Sequence, residues 1–386
     1  MTTVDTGLMA DLRRFGAADI DACFSCGNCT AICPLADDDA TFPRRIIRLA
    51  QVGLPDELIA SKELWTCYQC GRCTDRCPQQ ADPSEFMATA RRWAIAKLDK
   101  TRMSAAMYTS LWAASIITLV WALAFALFFA STRAAESKVT LALFEFIPNT
   151  LIHTVGLVLI IVVFLYAVFT IVMLARGIAK KQGVTAKSLF GGAAAWKRTW
   201  RAFWYAVGVE ALGQRRYRED CDDDQPVEPL YRRRWLIHAL TLWGFLGLFA
   251  ATILDYGLDI LGIKATGTPV PIWYPVRLLG TVAGLCLIYG VTFLAIRRMN
   301  RTKAGLLVSK PTDWLLLGML FVIGVTGFLI EVALYVQPVQ VWGYWVFLIH
   351  VAFAMELVLF LPFTKLAHAM YRPVALFFYG LAKQSA

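Results

Sequence analysis

Two cysteine runs of identical spacing lie near the start of this 386-residue chain. Each run has the form C-x2-C-x2-C-x3-C-P. The eight cysteines are Cys23, Cys26, Cys29 and Cys33 in the first run and Cys67, Cys70, Cys73 and Cys77 in the second. In this pattern the first three thiolates of a run hold one [4Fe–4S] cluster, and the fourth reaches across to the other. The chain must therefore fold around two metal centres that handle single electrons.

The crossover rule predicts which cysteines share a cluster. Cluster 1 takes Cys23, Cys26, Cys29 and Cys77, and cluster 2 takes Cys67, Cys70, Cys73 and Cys33. Tetrahedral zinc is an alternative because C-x2-C thiolate pairs also suit zinc, and a disulfide framework is another. Three evenly stepped cysteines followed by Cys-Pro, present twice, favour iron–sulfur clusters over both.

The remainder of the chain is too apolar for a soluble protein, since 58% of all residues are hydrophobic. Six stretches are long enough to cross about 30 Å of hydrocarbon. They are predicted at residues 106–130, 149–175, 235–258, 272–296, 312–336 and 342–367. We expect three regions: a cluster domain over 1–100, two spans and a basic loop with an amphipathic helix over 101–231, and a four-span region over 232–386.

The distribution of charge predicts the orientation in the membrane. Arginine and lysine crowd into 176–234 and 297–310, whereas the three connections on the other side carry only Arg133, Lys138 and Lys264. This is the positive-inside pattern of cytoplasmic loops, so the net charge of +10 is not a sign of nucleic-acid binding. The first residues lack the apolar core of a signal peptide. We expect a multi-pass protein of the cytoplasmic membrane with the cluster domain in the cytoplasm.

All four histidines fall in or at the edge of a predicted span. His153 and His350 belong to the outer half of the membrane, and His238 and His368 to the inner half. Two such pairs would suit two stacked haems with bis-histidine ligation, of b type because no C-x2-C-H motif is present. His350 and His368 share the sixth predicted span, about five turns and roughly 27 Å apart on one face. The alternative is that histidines only form hydrogen bonds between helices.

Three charged residues near the outer ends of the spans are candidates for a quinone and proton site. They are Asp255, Arg277 and Glu331. Quinone chemistry moves protons together with electrons, so a carboxylate beside an outer haem would serve as the proton partner of a bound quinone. The alternative is that Arg277 pairs with Glu331 or with a haem propionate.

Two segments resemble known families. Cys23–Pro78 resembles the C subunit of heterodisulfide reductases, an α-helical ferredoxin. Residues 232–375 resemble the cytochrome b subunit of respiratory nitrate reductases and the related heterodisulfide reductase E subunit. The features that support this second resemblance are Thr312-Asp313-Trp314, Thr326-Gly327-Phe328 and the stretch from Pro362 to His368. The two parts fused in this order resemble the membrane-bound C subunits of quinone-interacting membrane-bound oxidoreductase (Qmo) complexes. The resemblance implies an all-α fold, with an α-helical ferredoxin domain followed by a six-helix cytochrome b-like bundle.

The Qmo resemblance implies electron exchange between menaquinol and a cytoplasmic flavin and iron–sulfur subcomplex. That subcomplex would contain two heterodisulfide-reductase-A-like flavoproteins, with adenylylsulfate reductase as the redox partner in dissimilatory sulfur metabolism. One departure is that His153 and His238 occupy different spans. The alternatives are a subunit of another heterodisulfide-reductase-like or sulfite-reductase-linked complex, and a redox sensor or transporter. The chain has no dinucleotide-binding fingerprint, so it needs partners.

Overall fold

The computed structural model describes residues 3–16, 19–36, 41–222, 228–264, 270–300, 308–336 and 338–384. All regular elements in these ranges are helical, which confirms the all-α class. The cluster domain contains α1 (Leu8–Phe15), α2 (Asn28–Ala31), α3 (Arg44–Gln51), α4 (Pro55–Ile59), α5 (Lys62–Thr66), α6 (Arg72–Asp75) and α7 (Pro83–Leu98). Then follow α8 (Met103–Thr109), α9 (Leu111–Ser131), α10 (Leu143–Phe146), α11 (Asn149–Gln182), α12 (Ala186–Phe190), α13 (Ala193–Trp204), a π-helix (Tyr205–Leu212) and α14 (Arg215–Asp222). The last helices are α15 (Arg234–Ile260), α16 (Pro275–Asn300), α17 (Pro311–Tyr335), α18 (Trp342–Phe360) and α19 (His368–Lys383).

The cluster domain has its own apolar core beneath the cysteine loops. Leu12, Ile46 and Trp65 are at most 1% exposed, and burying each such side chain contributes about 1.5–3 kcal/mol. The longest helix of the domain, α7, starts with Pro83, whose missing N–H costs nothing at that position. Asp82 caps this helix by accepting a hydrogen bond from the Glu85 N–H at 3.1 Å. The short helices are thereby fixed to one rigid support.

Six helices are long and apolar enough to cross a membrane: α9, α11, α15, α16, α17 and α18. They match the six predicted spans in number and order. The first begins at Leu111 rather than at 106, because Ser110 is extended and caps α9 through a hydrogen bond from the Ala113 N–H. Large apolar side chains such as Trp112 and Leu127 point outward, as they do on a surface that faces lipid. The chain is a multi-pass membrane protein.

Small residues let neighbouring helices of the bundle approach closely. A Cβ atom on Gly244 of α15 would lie 2.5 Å from the backbone nitrogen of Leu287 in α16. One on Gly290 of α16 would lie 2.9 Å from the carbonyl oxygen of Ile237 in α15. Close backbone approach at small residues is a main source of helix association in lipid. From α16 the packing continues to α17, then to α18, and α18 also contacts α9 and α11.

The sixth predicted span is not one continuous helix. α18 ends at Phe360, a 3-10 turn covers Lys365–Ala367, and His368 starts α19. Proline at 362 has no N–H to donate and disfavours helical geometry in the residue before it. Thr364 is extended. The prediction that His350 and His368 project from one face of a single helix is therefore wrong, and the spacing of about five turns has no structural meaning.

The cluster domain is seated on one end of the bundle, here called the cluster end. Lys181 of α11 forms an ion pair with Glu57 at 2.8 Å and donates to the Ser61 hydroxyl at 3.0 Å. Tyr166, also in α11, donates to Asp99 at 2.5 Å. At the opposite, far end, the Asn149 side chain donates to Asp259 at 2.8 Å and so joins α11 to α15.

Candidate metal centres

The two cysteine runs have the same backbone course. Ser25 and Gly27 flank Cys26 with φ of 57° and 90°, and Gln69 and Gly71 flank Cys70 with φ of 54° and 94°. Such positive φ values are uncommon outside glycine, so their recurrence at equivalent positions is specific. Gly27 and Gly71 then begin the short helices α2 and α6, which pack against each other. The duplication seen in the sequence is a duplication of structure.

One pocket gathers the cysteines predicted to hold cluster 2. Its lining includes Cys33 from the first run together with Cys67, Cys70 and Cys73 from the second. At the other site, Asn28 of the first run donates to the carbonyl of Arg76, the residue before Cys77. The structure thus brings the end of each run next to the opposite run, which is the arrangement that the crossover pattern requires.

The chemistry of this pocket fits a polynuclear cluster. Within the described ranges, no three metal-ligating side chains converge closely enough for one ion, whereas a [4Fe–4S] cluster takes one thiolate at each of four irons. Burial raises the pKa of the Cys33 thiol to about 12. Burial also raises the pKa of Cys73, and the neighbouring thiols add to that effect. At Cys33 and Cys73 burial therefore disfavours a free thiolate, and bound positively charged metal would offset that cost.

His238 and His368 face each other at the cluster end of the bundle. Their ring centres are 6.3 Å apart and their planes are inclined by 60°. Two metal–imidazole bonds of about 2 Å, with each ring centre about 1 Å beyond its nitrogen, would give a separation of about 6 Å. Two histidines on one haem iron require this spacing. Burial lowers the pKa of His368 to about 3, so that ring is in the neutral form that ligates metal.

Three of the four histidines have Nδ1 held by a protein oxygen. His238 Nδ1 lies 3.1 Å from the Gln214 amide oxygen, and His350 Nδ1 lies 2.9 Å from the Thr326 hydroxyl. His368 Nδ1 contacts the carbonyl oxygen of Lys365. Metal-ligating histidines usually donate one ring N–H in this way, which fixes the tautomer and leaves Nε2 for the metal. This arrangement suits haem ligands better than histidines that only link helices.

The other predicted haem pair lies toward the far end. His153 stacks on Tyr256 of α15, with 3.7 Å between ring centres. His350 lies against α17, where a Cβ on Gly327 would be 3.5 Å from its Cε1 atom. Both rings are half-buried. The structure gives these two histidines different neighbours, and their pairing on one haem stays a prediction.

The candidate quinone residues form two separate ion pairs in the described part of the chain. Arg277 and Glu331 are 2.9 Å apart, and the Thr281 hydroxyl donates to the same carboxylate at 3.2 Å. Asp255 instead pairs with Lys264 at 2.5 Å. The pairing of Arg277 with Glu331 is the arrangement given above as the alternative to a quinone site.

Glu356 is a further carboxylate within the bundle. Its side chain is fully buried on α18, and neither of its oxygens has a hydrogen-bond partner in the described structure.

The sequence did not reveal the elements that surround His238 and His368. The π-helix Tyr205–Leu212 lies between their helices: Trp243 of α15 donates to its Leu212 carbonyl at 3.2 Å, and Gly380 of α19 packs against Tyr205. π-helical turns often occur at functional sites. Two arginines, Arg234 and Arg372, were also missed. The sequence signal that could have identified these two arginines is their position, four residues from His238 and from His368 respectively.

Two protein families match different parts of the chain. The 4Fe-4S dicluster domain family matches residues 19–81, and the citrate utilization protein B family matches residues 97–385. No solved structure matches the chain. The first match supports iron–sulfur clusters at the cysteine runs.

Individual relatives cover parts of the chain. Citrate utilization protein B of Escherichia coli is 30% identical over 166 residues, which is 42% of this chain and 41% of that protein. The C subunit of the H(2):CoB-CoM heterodisulfide,ferredoxin reductase of Methanothermobacter thermautotrophicus is 37% identical over 62 residues, 16% of this chain and 34% of that relative. The E subunit of the dihydromethanophenazine:CoB--CoM heterodisulfide reductase of Methanosarcina mazei is 24% identical over 155 residues, 37% and 58% respectively. The chain thus matches less than two thirds of each relative's length. The resemblance to the C and E subunits of heterodisulfide reductases is confirmed.

Proposed function

The chain belongs to the citrate utilization protein B family, and from that premise we propose that it is the membrane electron-transfer subunit of a quinone-dependent oxidoreductase complex. Electrons would pass between menaquinone and a soluble flavin and iron–sulfur partner through two b haems and the two clusters. The observation that carries this proposal is the position of the cluster domain. The domain contacts α15 and α19, the same helices that hold His238 and His368 with their ring centres 6.3 Å apart.

The chain's own residues hold and orient these centres. The cysteine runs supply eight thiolates, and Gln214, Thr326 and the Lys365 carbonyl fix the tautomers of three histidines. Bound haem and clusters supply one-electron chemistry, while the protein sets ligation, distance and hydrogen bonding. On this proposal, His153 and His350 hold the far-end haem. Arg277, Glu331 and Asp255 lie on its side of the bundle, where menaquinone would exchange protons.

Different observations favour two alternative soluble partners. The fusion that resembles Qmo membrane subunits favours two heterodisulfide-reductase-A-like flavoproteins linked to adenylylsulfate reductase. The family match over residues 97–385 favours a partner that serves citrate utilization. In both cases the positive-inside pattern supports a cluster domain in the cytoplasm. Affinity purification of the intact complex from its source membranes, followed by identification of the flavoprotein that accompanies it, distinguishes the two.

The cofactor content of the purified protein tests the proposal itself. After anaerobic preparation we expect about eight non-haem irons, a matching amount of acid-labile sulfide and about two haems b per chain. Pyridine-haemochrome spectra and iron and sulfide assays measure these quantities. A protein with neither Soret absorption nor cluster EPR signals would refute an electron-transfer role.

A further inference from the structure

The two cysteine runs lie at different distances from the bundle. In the first run Cys29 is buried, but Cys26 is exposed, and Phe24, which follows Cys23, is 75% exposed. In the second run Cys67 is buried, and Cys70 and Cys73 are half-buried. The first run therefore borders the open side of the cluster domain. The second run lies where that domain meets the helices.

Both helices of the cluster-end histidine pair hold the second run directly. Arg234 stands one turn before His238 and donates to the Cys70 carbonyl at 3.0 Å. Arg372 stands one turn after His368 and donates to the Thr66 carbonyl at 3.0 Å and to the Cys67 carbonyl at 3.4 Å. Side chains one turn apart share a helix face. Each histidine is thus accompanied by an arginine that reaches the loop of cluster 2.

Aromatic rings fill the space between the second run and the histidines. The Arg372 guanidinium lies 4.6 Å from the centre of the Tyr68 ring, next to Cys67. The Tyr217 ring lies 5.6 Å from the Tyr68 ring and 5.6 Å from the His238 ring. The path from Cys67 to His238 is therefore closely packed.

The part of the first run that belongs to cluster 1 is held from within the cluster domain, whereas Arg216 of α14 donates at 3.2 Å to the carbonyl of Pro34, which follows the cluster 2 ligand Cys33. Arg44 of α3 donates to the Ser25 carbonyl at 3.5 Å. The side chain of Gln51, also in α3, donates at 3.3 Å to the carbonyl of Cys23, the first run's equivalent of Cys67. Arg44 is therefore an arginine that holds the first run from within the cluster domain. The Cys67 carbonyl accepts from Arg91 of the cluster domain at 3.0 Å as well as from Arg372, so the second run is distinguished by the additional contacts from the bundle helices.

Resting on the proposed function, we propose that cluster 2 exchanges electrons directly with the haem of the His238 and His368 pair. Cluster 1 exchanges them with the soluble partner, and Arg234 and Arg372 are positioning residues that fix this order. Each transfer moves one electron: reduced cluster 2 loses one electron as the ferric haem iron becomes ferrous, and the opposite holds when electrons flow from quinol.

A matched pair of cysteine variants assigns the two cluster signals. Cys26→Ser and Cys70→Ser change equivalent positions and should each abolish or alter a different EPR signal. His368→Ala is then examined by EPR-monitored redox titration. The Cys70-dependent signal should shift in midpoint potential, since loss of a nearby charged iron changes the electrostatic field at the closest cluster. The midpoint potential of the Cys26-dependent signal should not change. A larger shift of the Cys26-dependent signal, equal shifts or no shift would overturn the order.

Arginine variants test the positioning role without removing a ligand. Arg372→Gln and Arg234→Gln should lower the midpoint potential of the Cys70-dependent signal, because a lost positive charge destabilises the more negative reduced cluster. The matched control Arg44→Gln should lower only the potential of the Cys26-dependent signal. Unchanged potentials in the bundle variants, or a shift confined to the Cys26-dependent signal, would contradict the proposal. A wild-type protein that lacks haem would instead refute the proposed function itself.

Discussion

At the scale of single residues, the hydrogen bonds to Nδ1 of His238, His350 and His368 are the feature that favours a ligand role on the proposed function. The Thr326 hydroxyl donates to the Val322 carbonyl at 2.6 Å, so its lone pair is free to accept from the Nδ1–H of His350. Such partners orient the ring and raise its basicity. Thr326 belongs to α17 and His350 to α18, so no local pattern in the sequence predicts this partner.

Replacing Thr326 by valine should weaken the haem site at His350. Valine keeps the shape of threonine but removes the acceptor, and loss of such a partner lowers metal affinity by about 10-fold or more. Haem content and haem titration of the variant, followed by Soret absorption, measure the effect. Thr118→Val is the control because the Thr118 hydroxyl bonds only to Ala114 of its own helix. Equal affinity in both variants would argue against His350 as a ligand.

At the scale of elements, the contact between α15 and α16 depends on glycines. Gly244→Ala should separate the two helices and lower the free energy of unfolding by about 1–3 kcal/mol, because the added Cβ would meet backbone atoms of Leu287 and Ala283. Thermal unfolding in detergent, followed by circular dichroism, gives the change.

Gly257→Ala in the same helix is the matched control. A Cβ there has no neighbour within 4 Å, and alanine favours a helix over glycine by about 1 kcal/mol. This variant should unfold at the same or a higher temperature. Equal destabilisation of the two variants would show that α15 and α16 do not pack as described.

The elements that could be predicted are those with a local signal. Ligand spacing gave the cysteine runs, and length with hydrophobicity gave six spans. The break after Phe360 was missed although Pro362 signals it, because the apolar character continues across the proline. The π-helix could not be predicted, since its extra residue per turn is stabilised by contacts with α15 and α19 that lie far away in sequence.

At the scale of the whole molecule, six spans put the cluster domain and α19 on the same side of the membrane. The excess of lysine and arginine predicts that this side is the cytoplasm. An epitope inserted between Arg133 and Leu141 should be accessible in intact cells. One inserted at Gly183, where the backbone has free space, should be accessible only after permeabilisation. The opposite pattern would invert the topology.

The all-α fold and the iron–sulfur domain could be predicted from the sequence because both depend on composition and spacing, and the assignment of each cysteine to a cluster stays a prediction. The proposed order of electron transfer, in which cluster 2 lies next to the haem, could not be predicted, because it depends on contacts between segments that are far apart in the sequence. Arg372 and Arg234 are ordinary basic residues near membrane helices until the structure places their donors on the carbonyls of the second run.

The bond from Arg372 to the Thr66 carbonyl joins positions 306 residues apart. During translation both cysteine loops emerge long before α19 exists, so iron and sulfide can be inserted while the second loop is still uncovered. Once the bundle has assembled over it, cluster 2 would be sealed and slow to repair. Cluster 1 would remain open to damage by oxygen and to renewal by the assembly machinery.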